Sequence, residues 1–163
     1  MSLGNVGLLC SIDVQEESTD INVRSYWPSV VASGAMLLAT DALSIERTLG
    51  SYMLSACDFS NSQLAQFAYL QGSAELLLNF AMTYDTYTKQ LLHEHIYSNS
   101  MQHNVTELRD MILDEDFNDR CNNMTDVERT ETVVKWADLV LHYILTVDKL
   151  RSSHIIPSIL QVQ

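Results

Sequence analysis

The sequence predicts an all-α fold, a single-domain bundle of about five to six helices around an apolar C-terminal helix at about 126–151. Three observations predict it. From Trp27 onward apolar residues recur at helical spacing in nearly every segment. Strand-length alternation of β-branched residues is absent, and capping residues stand where the periodic runs begin. At 163 residues, 47% of them apolar, the chain suits one domain with its own core.

Residues 1–24 carry Asp13, Glu16, Glu17 and Asp20 before the first base, Arg24, and read as an acidic arm ahead of a bundle domain over 25–163. Pro28 suits a first helical position, and Val30, Val31, Ala35 and Leu38 lead to Thr40-Asp41, either of which could cap a new helix. Ile45, Leu49, Tyr52, Met53 and Ala56 then hold one face. Ser60 with Gln63 reads as a capping box, and Gln71-Gly72-Ser73 as a break dividing 61–97 into two helices. Asn104 with Glu107 caps a short helix, and 114–123 reads as a polar acidic connection. Thr125 with Glu128 is the clearest capping box, and the helix it opens is apolar on nearly all sides, so it belongs in the middle of the bundle.

Twenty-one acids against nine bases leave a charge of −12, which repels phosphate backbones and anionic lipid and argues against nucleic-acid or membrane binding. No run of 18 uncharged apolar residues or signal-peptide pattern is found, so no membrane span is expected. Cys10, Cys57 and Cys121 form no CxxC and are odd in number, which reads as free thiols in a reducing, cytoplasmic setting.

Most chemical motifs fail on spacing. None of the five histidines has Glu three residues before it, which excludes a ferritin-like di-iron site. His93 and His95 point to different sides of a helix, and His142 lies inside the apolar helix as a core or pH-sensitive imidazole. Asp114, Asp116 and Asn118 resemble the first ligands of an EF-hand loop, but Asp119 replaces its turn glycine and Thr125 its bidentate glutamate. Glu107 with Asp110, and Glu128 with Glu131, set paired carboxylates one turn apart. Such pairs resemble the Mg²⁺-holding helices of the all-α nucleotide pyrophosphohydrolases, which would make the chain a metal-dependent hydrolase.

The first expectation is therefore a non-enzymatic, acidic interaction or assembly protein without a cofactor. Its partner is a protein with a basic surface, or a second copy of the chain, docked through Asp110, Asp114, Glu115, Asp116 and Asp119. The hydrolase using Glu107, Asp110, Glu128 and Glu131 is the alternative.

Overall fold

A computed structural model describes residues 21–161. It is about 90% helical, without strands among the described residues, and forms the single-domain all-α bundle the sequence predicts. The order is α1 (Ile21–Ala56), α2 (Asn61–Tyr84), α3 (Thr86–Leu92) passing into a π-helical turn (His93–Tyr97), and α4 (Ser100–Leu113). Then come α5 (Phe117–Asn122), α6 (Asp126–Leu150) passing into a second π-helical turn (Arg151–Ile155), and α7 (Ile156–Gln161). The acidic arm expected over 1–24 lies outside the described residues except for 21–24, which open α1.

The longest helix, α1, touches α2, α3, α6 and α7. Its inner face is built from small and flexible residues, with Ala32, Met36, Ala39, Leu43, Met53 and Leu54 all buried. Thr40-Asp41 does not start a new helix. The Thr40 hydroxyl donates back to the Leu37 carbonyl at 2.7 Å and that of Ser44 to the Thr40 carbonyl at 2.8 Å, so both are satisfied inside a continuous helix. Pro28 lies within α1 rather than at its start, because the helix begins earlier than its apolar pattern does. From Tyr26 to Ala56 this helix is also apolar enough by length and composition to cross a membrane, with a mean hydropathy of 1.4 over its richest 18 residues. That corrects the expectation that no stretch qualifies. Its interspersed Ser, Thr and Gly interrupt the apolar run without adding charge.

Cys57 ends α1 at a φ of 47°, and Ser60 caps α2 by accepting the Gln63 N–H at 3.4 Å. The helix then runs unbroken through Gly72, and the break expected there falls at Asp85 instead. The buried Asp85 carboxylate caps α3, accepting the Thr88 N–H at 3.2 Å and hydroxyl at 2.7 Å, and takes the Ser29 hydroxyl of α1 at 3.2 Å. Asn99, not Asn104, caps α4, taking the Met101 N–H at 2.9 Å. The acidic connection contains α5, which buries Phe117 and Cys121. Thr125 and Glu128 form the expected capping box reciprocally, at 3.0 and 3.2 Å.

The bundle includes α6 as predicted, but the helix is not enclosed on all sides. Trp136, Val140, Tyr143, Val147 and Leu150 are buried, whereas Val134, Leu141 and Leu145 face outward. Its interior role is shared with α1. The Trp136 indole donates to the Arg47 carbonyl at 3.1 Å, and its ring lies 5.5 Å from that of Phe67. The indole occupies the space a side chain at Gly50 would need, since a Cβ there would lie 2.5 Å from Nε1. Trp136→Ala is therefore expected to cost about 3–5 kcal/mol, read by chemical unfolding.

Candidate functional site

Between α1 and α4 the bundle holds a buried ion pair. Arg109 donates from Nε to one Glu46 oxygen at 2.6 Å and from Nη2 to the other at 2.9 Å, and both residues are at most 1% exposed. Glu75 of α2 reaches the same guanidinium at 3.7 Å. Burial pushes the Glu46 carboxyl above its ordinary value, against the pull of Arg109's two donors. The neighbouring phenols of Tyr97 and Tyr143 share a hydrogen bond and are both raised, first by burial, so they remain neutral. This centre ties three helices together, and its one cation is already matched by carboxylate.

The two π-helical turns build a different environment. A π turn inserts a residue into the helical ladder and is frequent at functional sites. Each turn here carries an exposed histidine followed by a buried isoleucine, His95-Ile96 in the first and His154-Ile155 in the second. Their imidazoles lie 6.4 Å apart at 27°. With His142, Leu145, Thr146, Lys149 and Leu150 of α6 they line a pocket of about 380 Å³. His142, Thr146 and Lys149 share a helical face, so three imidazoles and one ammonium converge there without an acid among the lining residues. Arg151, two residues beyond Lys149, is turned to Asp148 at 3.2 Å, whereas Lys149 has no ion-pair partner among the described residues.

The carboxylates that the sequence singled out do not converge. Asp110, Asp114, Glu115, Asp116 and Asp119 are exposed, and Asp114 binds Arg120 at 2.7 Å. Glu107 stands beside His103 at 3.2 Å, Glu128 is occupied in its capping box, and Glu131 borders a shallow hollow with Lys135. Among the described residues no three His, Cys, Asp or Glu side chains are grouped to hold a metal. His142 is exposed on the pocket wall rather than in the core, and His93 and His95 do diverge, into separate hollows. Sequence reasoning missed the pocket because its residues are 59 positions apart from first to last (154 − 95) and meet only through the fold. The repeated His-Ile pair, with His142 and Lys149 seven residues apart on one helical face, was the signal available.

The cysteines are corrected as well. Cys57 and Cys121 form a disulfide with their Cα atoms 5.7 Å apart, and Cys10 lies outside the described residues.

Residues 8–151 match the family model described as nitrate and nitrite sensing. No curated protein and no solved structure matches the chain. The match covers most of the sequence and overturns both functional expectations, the acidic adaptor or assembly protein and the pyrophosphohydrolase-like enzyme. It overturns the cytoplasmic expectation too, since domains of this family are extracellular sensing regions of membrane receptors. A disulfide where free thiols were expected agrees with an oxidising compartment.

Proposed function

We propose, from the premise that this chain belongs to the nitrate and nitrite sensing family, that it is a sensor domain receiving a small oxyanion in the pocket of His95, His142, Lys149 and His154. One observation carries the assignment to this place, the convergence of three imidazoles and an ammonium in a chain of charge −12. Lys149 supplies ammonium N–H donors, and the imidazoles supply ring N–H donors. Leu145 and Leu150 give the pocket apolar walls, which lower the local dielectric and strengthen those contacts. The tightly neutralised Arg109 is a poorer receptor, since an anion there would have to displace Glu46.

The pocket draws on the turn after α3 and on both α6 and the turn that ends it, so an anion held between them links two parts of the bundle. Binding is then coupled to how the α3 and α6 ends sit against one another, the differential contact that a signalling change requires.

Isothermal titration with sodium nitrate and nitrite tests this. One site per chain is expected, and Lys149→Gln or His154→Gln should weaken it by about tenfold or more, the cost of a charge-assisted contact. Equal binding by wild type and both variants would remove the pocket from the account.

A further inference from the structure

Two segments have the acceptor pattern of N-linked glycans, Asn104-Val105-Thr106 and Asn123-Met124-Thr125, and neither has proline in the middle. The fold separates them. Asn104 and Thr106 lie in the body of α4, both half-buried, with Val105 between them at 0% exposure. That segment presents a packed helical surface.

Asn123 stands instead in the link between α5 and α6, where the chain turns a corner. It ends α5 at a φ of −89° and a ψ of −6°. Two residues later Thr125 opens α6 in extended conformation, at −67° and 159°. Met124 packs against the core, whereas Asn123 and Thr125 on either side of it are exposed. The Asn123 side-chain amide has no hydrogen-bond partner among the described residues, while that of Asn122 is tied to the Asn118 carbonyl at 2.9 Å. The Thr125 oxygen accepts the Glu128 N–H at 3.2 Å, which fixes the hydroxyl and leaves its own proton free to donate. Asn123 can therefore carry a bulky group without displacing a packed side chain.

Two further observations place this segment where such a group is added. Cys121, two residues before Asn123, is held in a disulfide, the mark of an oxidising compartment. Domains of the matched family are extracellular, which is the setting of N-linked glycans. The surroundings also suit a hydrated substituent. Val127, 67% exposed and four residues on, is an apolar side chain that a glycan would screen from water-borne contacts.

We propose that Asn123 is an N-linked glycosylation site. Its Nδ2 bonds to the anomeric carbon of an oligosaccharide carried on a lipid pyrophosphate. The sugar–phosphate bond breaks, and the lipid pyrophosphate leaves with the amide proton. Thr125 supplies the hydroxyl that the acceptor pattern requires.

The test is peptide mass spectrometry of the full chain, directed into the secretory route of a eukaryotic cell by a cleavable leader and recovered from cells and medium together. After reduction, trypsin cuts at Arg120 and Arg129 and isolates Asn123 from Asn104. Enzymatic removal of the glycan in ¹⁸O-water should convert Asn123 to ¹⁸O-labelled aspartate. Asn123→Gln breaks no hydrogen bond of the described fold and should lose the glycopeptide with helicity unchanged. Thr125→Ala should lose it as well, whereas Thr125→Ser keeps both the hydroxyl and the helix cap and should retain it. An unmodified Cys121–Arg129 peptide from wild type, or a glycopeptide that persists in Thr125→Ala, would overturn the proposal.

Discussion

Arg109→Leu is expected to destabilise the protein by about 3–5 kcal/mol at neutral pH, because it strands a carboxylate that has no access to water. Glu46 is fully buried and receives both of its short hydrogen bonds from that guanidinium. Without them, burial acts unopposed and holds the carboxyl further above its ordinary value. The sign of the pH dependence follows. A carboxyl raised in the folded state binds its proton more tightly there than in the unfolded chain, so the variant is most stable at low pH. It loses stability as pH rises from the unfolded carboxyl value, about 4.3, through the raised folded one. Urea unfolding across pH 4–8 should therefore show a deficit that grows with pH. The double variant Glu46→Leu/Arg109→Leu removes both charges and should recover most of the loss. A single variant within about 1 kcal/mol of wild type at pH 7 would mean that water reaches the pair.

Reduction of Cys57–Cys121 is expected to remove about 4 kcal/mol, the loop-closure entropy of a link spanning 64 residues. For a chain of this size that lowers Tm by about 8–16 °C. The link holds the end of α1 to α5, a six-residue helix with little else to fix it. Its other aromatic anchor is the edge-to-face contact of Phe117 with Phe59 at 5.2 Å. Calorimetry with and without reductant, or of a Cys57→Ala/Cys121→Ala variant, reads the effect. A shift below about 2 °C would show that α5 docks equally well unlinked.

Helical class was legible because it rests on local periodicity, and the Thr125–Glu128 box because both partners lie within one turn. Helix boundaries were less so wherever a polar residue had two local choices. Thr40 could cap a helix or bond back along one, and α1's packing on both sides selects the second. Gly72 could break a helix or leave its surface open, and it does the latter. Asp85 went unnoticed although Thr88, which it caps, lies only three residues on, and its tie to Ser29, fifty-six residues away, had no local trace. Long-range pairings had no local trace, and these include the disulfide, the Glu46–Arg109 pair and the meeting of His95 with His154. The acidic loop drew attention through composition, whereas the candidate site is the small basic exception to that composition.

The most direct test of the oxyanion reading is a backbone amide NMR titration of the ¹⁵N-labelled protein with sodium nitrate, against sodium chloride at matched ionic strength. Saturable, nitrate-specific shifts concentrated in 93–97 and 142–155 are the predicted result. Saturable shifts centred on another part of the bundle, or none beyond those of chloride, would contradict it.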